Sequence, residues 1–247
     1  MPVAAEYHRE LARRLRTILG ERLLGVYASG SLALEDFDPA RSDLDVVAVA
    51  GGSVTAADKE EIVGRLRHEA LPCPARGLEF VLYPEETVRA PSAEAAFLLN
   101  LNTGPRMAFR VDFEPGAVER HWFPIDRAIV RASGAAIAGP SPDELFAPIP
   151  RRLLVQAVRE ALEWHRAPGN GDDRDAVLNA CRSIRWLRED VWSSKSAAGA
   201  WALARVADAD LVAAALVAPD RGARLDRERV VRFVDAVLAE AVSRRPG

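Results

Sequence analysis

Ser42-Asp43-Leu44-Asp45-Val46-Val47-Ala48-Val49-Ala50 is the stretch on which the fold turns. It sets two carboxylates at the head of an apolar, valine-rich run closed by Gly51-Gly52, and such a run predicts a buried strand. Side chains alternate faces along a strand, so Asp43 and Asp45 project from one side, about 7 Å apart along the chain. Two like charges so placed repel unless a cation lies between them. Magnesium suits that position, because it takes hard oxygen ligands and commonly binds through one or two carboxylates plus substrate phosphates. A solvated strand end is the other reading, and the motif alone does not choose.

Upstream, Leu23 to Ala28 reads as a buried strand running into Ser29-Gly30-Ser31, with Leu32 to Glu35 able to open a helix. Glycine admits close approach of the backbone to an anion, and a serine hydroxyl with helix N-terminal amides can hold phosphate oxygens. An ordinary turn has the same sequence. Downstream, residues 55–69 predict a helix with an acidic first turn, and Leu78 to Tyr83 a third strand ended by Pro84. Glu79 lies inside that apolar strand, where an unpaired carboxylate is costly. It reads as an edge position, as a salt bridge to Arg76, or as a third acid facing the metal site, either a ligand or a base.

Further out, residues 3–19 form an amphipathic pattern whose basic run, Arg9 to Arg16, is flanked by Glu6, Glu10 and Glu21 and reads as a solvated face. Residues 93–101 predict a helix, 108–113 a fourth strand, and 125–132 a helix stopped by Gly134. From about Leu145 the pattern becomes wholly helical: 151–166, 173–191, 195–206 and 225–243, with Gly169-Asn170-Gly171 breaking the first pair and Pro219 and Gly222 preceding the last. The expectation is an α+β fold, with a mixed-sheet domain at 1–146 followed by an all-α bundle at 147–247.

The 247 residues are 49% hydrophobic and 28% charged, enough apolar surface for a core, which excludes a disordered chain. The formal charge of −3 disfavours a nucleic-acid binder. Cys73 and Cys181 are too few and too far apart for a disulfide framework or a zinc site and read as buried thiols in a reducing compartment. No apolar run reaches the length of a membrane span, and residues 1–6 show no secretory pattern, so the expected location is cytoplasmic. Positive charge is almost wholly arginine; Lys59 and Lys195 are the only lysines.

The order of the three acidic and Gly-Ser features resembles the nucleotidyltransferase superfamily typified by DNA polymerase β. In that family the Gly-Ser turn holds a triphosphate and the paired aspartates bind magnesium. Asn100-Leu101-Asn102-Thr103-Gly104, His121-Trp122-Phe123, Gly139-Pro140, Glu144-Leu145-Phe146 and the helical second half extend the likeness. They are similar to the aminoglycoside adenylyltransferases acting on streptomycin and spectinomycin. The resemblance implies that Gly30, Ser31 and Ser42 serve the triphosphate, that Asp43, Asp45 and Glu79 serve Mg2+, and that Glu79 is the catalytic base. It implies nucleotide contacts from Arg182 and Lys195, which reproduce the family's thirteen-residue interval. In so arginine-rich a chain, Lys195 also stands out as a position where a compact ammonium is preferred to a planar fork.

The resemblance further implies acceptor contacts from Trp164, Asp172 and Asp175, although Asp172, Asp173 and Asp175 are also what a helix N-terminus favours without any ligand. Arg166 to Asn170 lacks the additional aspartate of enzymes that modify both drugs, which favours spectinomycin over streptomycin. The family's N-terminal tryptophan has no counterpart near residues 100–106. The implied reaction is Mg-dependent transfer of an adenylyl group from ATP to an aminoglycoside hydroxyl, with release of pyrophosphate, as in antibiotic resistance. The alternative keeps the fold and changes the acceptor to another small alcohol or a protein side chain. The expected partners are ATP and a cationic small molecule, with neither nucleic acid nor membrane, and the expected state is a monomer.

Overall fold

Leu44–Ala50 forms strand β2 and Leu78–Pro84 forms β3, and the two run parallel in direct register. A parallel pair needs a crossover, and the helix Ala56–Leu66 lies within it. The computed structural model describes residues 2–117, 119–218 and 225–243, and divides the chain into two units, 1–149 and 150–247.

The first unit begins with α1 (Pro2–Leu19), β1 (Leu23–Ala28) and the short α2 (Gly30–Ala33). After β2 comes the crossover helix α3, whose Thr55–Asp58 capping box satisfies its first turn. It ends at Leu66, three residues before the expected end. β3 is followed by α4 (Glu85–Arg89), β4 (Leu99–Gly104), β5 (Met107–Asp112), α5 (Trp122–Ser133), β6 (Ala135–Ala138) and α6 (Pro142–Leu145). Among the described residues the strands form one six-stranded sheet ordered β5-β4-β3-β2-β1-β6, antiparallel except for β2 and β3.

Alternation along the central strands divides the core. Leu44, Val46, Leu78, Phe80, Leu82, Leu99 and Leu101 face one way and pack with Leu11 and Leu15 of α1 and Ile62 and Leu66 of α3. Tyr27, Val47, Val49 and Tyr83 face the other way and pack with Phe97, Phe123, Val130, Leu145 and Phe146. Burying such side chains contributes about 1.5–3 kcal/mol each. Asp45 and Glu79 belong to the second face by alternation, and both are half-buried.

The helix expected over 93–101 is not there. Residues 99–104 are β4, in which Leu99, Leu101 and Thr103 are buried and Asn100 and Asn102 half-buried. That is a period of two, and asparagine is a poor helix former besides. The segment before β4 is held irregular by buried Arg127, which donates to the carbonyls of Thr87, Ser92 and Glu94. Such long-range bonds leave no local trace. β6 and the short helices α4 and α6 were likewise not expected; the strand expected at 108–113 is β5.

His8 in α1 is buried, which pushes its imidazole down to about 4. The fold accepts the neutral ring, so the stability this group confers is complete above its unfolded pKa and is lost as pH falls through about 4. We expect His8→Leu to lose about 3 kcal/mol less stability than the parent between pH 7 and pH 4. Urea unfolding followed by circular dichroism at the two pH values measures this; equal losses would show that His8 is not the acid-sensitive group.

Among the described residues the second unit is entirely helical: α7 (Arg151–Arg166), α8 (Asp173–Glu189), α9 (Lys195–Ala202), α10 (Ala209–Val217) and α11 (Arg227–Ser243). α8 packs against the other four and buries Ala176, Val177, Leu178, Cys181, Ile184 and Leu187. A helix surrounded on several sides is apolar over most of its girth. α9 ends four residues before the expected 206, and α10 was not expected at all. The expected Pro219 and Gly222 signals lie outside the described residues. Both cysteines are free and buried, and burial pushes the Cys181 thiol up to about 12. No helix among the described residues is long and apolar enough to cross a membrane.

Candidate active site

In the first unit the register of β2 and β3 puts Asp45 directly beside Glu79. On the far side of Glu79 the antiparallel partner is Asn102 of β4, and beyond it Arg110 of β5. On the near side Ser29, at the end of β1, donates its N–H to the Asp45 carbonyl at 2.9 Å. A polar row therefore crosses the sheet on the face opposite α1 and α3.

The Gly-Ser turn is built against this row. Gly30 has φ +55°, and a Cβ added to it would lie 1.8 Å from Asp45 Oδ2. Only glycine lets this turn lie so close to the carboxylate. Gly30 opens α2, and the Ser31 Oγ is shielded from solvent and has no hydrogen-bond partner among the described residues. An orphaned hydroxyl at a short helix start beside a carboxylate suits a phosphate oxygen or a metal-bound ligand. Ser42 has a different place: its Oγ accepts from the Asp38 N–H at 3.1 Å and its carbonyl from the Arg76 N–H, closing the turn that enters β2.

Asp43, one residue ahead of β2, is paired with the Arg76 guanidinium and is only 13% exposed. Arg76 thus reaches Asp43, whereas from sequence it was weighed as a partner for Glu79. Its position just ahead of a strand that carries an acid was the available signal. Among the described residues no three His, Cys, Asp or Glu side chains are gathered to hold a metal ion. The three-carboxylate set of Asp43, Asp45 and Glu79 is therefore not a preassembled cage. The donor chemistry nevertheless fits magnesium, which completes its shell with water and substrate phosphates rather than with an all-protein cage.

In the second unit, Asp172 caps α8 and accepts the Asp175 N–H at 2.8 Å. Burial pushes the Asp172 carboxyl above its ordinary value; the nearby Asp175 charge also raises it, while the Asp175 N–H and Lys195 act the other way. Asp175, Asn179 and Arg182 follow one another at i, i+4 and i+7, along one stripe of α8. Lys195 Nζ meets Asp175 Oδ1 at 2.6 Å, and Arg182 donates through Nε to the Ser193 carbonyl and through Nη1 to Asn179. Lys195 is the first residue of α9, capped by Ser194. Lys195 and Asp175, expected to serve different ligands, are thus neighbours. The Trp164 ring lies 3.2 Å from where a Gly171 Cβ would sit, next to Asp172. Arg227 ties this loop down, donating to the carbonyls of His165, Arg166 and Ala167 and to Asp173.

Residues 144–240 match the family of the aminoglycoside adenylyltransferase C-terminal domain. Aminoglycoside (3'')(9) adenylyltransferases from Rhizobium radiobacter and Klebsiella pneumoniae are 33% and 32% identical to this chain over 100 residues, which is 38% of it. The alignment spans only 35% and 36% of those relatives. Spectinomycin adenyltransferase AAD(9) from Enterococcus faecialis, solved with ATP and spectinomycin, has a TM-score of 0.69 to this chain at 17% identity, covering 96% of it and 98% of the solved chain. The α+β fold is thus shared with that enzyme.

Proposed function

We propose that this chain, whose residues 144–240 belong to the aminoglycoside adenylyltransferase C-terminal domain family, transfers an adenylyl group from ATP to a hydroxyl of an aminoglycoside-type antibiotic, with spectinomycin favoured. The observation that carries this reading is the register of Asp45 against Glu79, with the Gly30 turn pressed onto Asp45. One half-buried carboxylate next to a metal-ligating one is what an attacking hydroxyl requires.

The Gly30-Ser31 turn binds the triphosphate through its backbone and the Ser31 hydroxyl. Asp43 and Asp45 would hold Mg2+, which supplies charge neutralisation on the phosphate oxygens. Arg76 pairs with Asp43 and holds its carboxylate in place. Glu79 accepts the proton of the acceptor hydroxyl as its oxygen bonds to the α-phosphorus and the bond to the departing pyrophosphate breaks. In the second unit we assign nucleotide contacts to Arg182 and Lys195 and acceptor contacts to Trp164, Asp172 and Asp175. Acidic groups at the acceptor position suit a cationic drug. The loop Arg166 to Asn170 carries no acid, which favours spectinomycin.

Pyrophosphate release from ATP and magnesium, measured across spectinomycin, streptomycin and unrelated aminoglycosides, tests the proposal. Release is expected with spectinomycin, more weakly with streptomycin, and not without magnesium. Silence with every drug would reject an aminoglycoside acceptor.

A further inference from the structure

Asn102 is the antiparallel register partner of Glu79 and, by alternation, shares its face. Residues directly opposite in such a pair have Cβ atoms about 5 Å apart, so the two side-chain ends can meet the same small group. Their neighbours on this face are already engaged. Asn100 donates to Asp112 at 3.3 Å, and Arg110 donates to the same carboxylate oxygen at 3.0 Å. The Asn102 carboxamide, although half-buried, has no hydrogen bond among the described residues. It is a donor and an acceptor held beside the base and left for a ligand.

Resting on the adenylyl-transfer reading, we infer that Asn102 is a positioning residue for the acceptor: its carboxamide holds a second polar group, on the carbon next to the hydroxyl that Glu79 deprotonates. The acceptor class is accordingly an alcohol with a neighbouring hydroxyl or amine, not an isolated alcohol. An amide can serve either group, since its N–H2 donates to oxygen or nitrogen and its C=O accepts from O–H or N–H. Orienting the acceptor on two points fixes the attacking oxygen relative to the α-phosphorus, which is where loss of alignment is expensive in rate.

Steady-state kinetics with Mg-ATP and spectinomycin on the full chain test this. Asn102→Ala is expected to lower kcat/KM for spectinomycin by about 10- to 100-fold while the KM for ATP stays within about twofold. Asn102→Ser, which restores one donor-acceptor group, should recover part of the loss. The acidic limb of the pH profile should stay where the parent has it, because the carboxamide acts on the acceptor and not on Glu79. Unchanged kinetics in Asn102→Ala overturn the inference, as does an equal loss for ATP and drug, or a displaced acidic limb. A parent enzyme that releases no pyrophosphate with any drug would instead overturn the functional reading itself, and this inference with it.

Discussion

Glu79→Gln is expected to bind ATP as tightly as the parent and to lose about 10²- to 10⁴-fold in turnover. The substitution keeps the side chain's size and shape, but it removes the negative charge and replaces one acceptor oxygen by an N–H2 donor, so the group can no longer take a proton. Phe80 and Leu78, on either side of Glu79 in β3, are fully buried, so the strand has no freedom to bring another group to its position. Asp45 beside it cannot substitute if it is committed to a metal ion. Pyrophosphate release gives kcat, and calorimetric titration with a non-hydrolysable ATP analogue gives affinity. Turnover within about tenfold of the parent would remove Glu79 from the proton-accepting role. Weakened nucleotide binding with proportionate loss of rate would make it a ligand rather than a base.

Gly30→Ala should be nearly as damaging for a different reason. The left-handed φ of +55° costs an alanine about 1–2 kcal/mol, and the new methyl would sit 1.8 Å from Asp45 Oδ2. The turn must move away or the carboxylate must rotate, and on the proposed adenylyl-transfer reading either change would separate the triphosphate-binding turn from Asp45. The expected outcome is a fall of about 100-fold or more in kcat/KM with a melting temperature lower by a few degrees. Gly52→Ala is the control. Its φ is +66°, but a Cβ there would meet nothing within 4 Å. It should show the same kind of stability loss with turnover retained. If both variants keep their activity, the close approach at Gly30 has no catalytic meaning.

Much of the architecture was legible because its signals are local. Val46 to Ala50, Leu78 to Leu82 and the long helices carry periodicities that neighbouring residues impose on one another. The helix wrongly expected over 93–101 had such a signal too: Leu99, Leu101 and Thr103 alternate with two asparagines. What hid it was the preceding segment, whose irregular path depends on Arg127, some thirty residues away in the sequence. β6 is an edge strand of small, partly exposed residues, with little apolar pattern to read.

Residue types and spacing alone determined that acids stand at Asp43, Asp45 and Glu79, that a Gly-Ser turn precedes them, and that a rare lysine stands at Lys195. They also determined that a sheet-bearing half is followed by a helical one, because composition and periodicity are properties of short stretches. Only the tertiary structure decided which of these groups are neighbours. The crossover between β2 and β3 sets the register that places Glu79 between Asp45 and Asn102, and a shift by one residue would have turned Glu79 to the opposite face. Arg76 on Asp43 and Lys195 on Asp175 were settled in the same way, since a charge takes the partner that folding delivers within a few ångströms, whatever its distance along the chain.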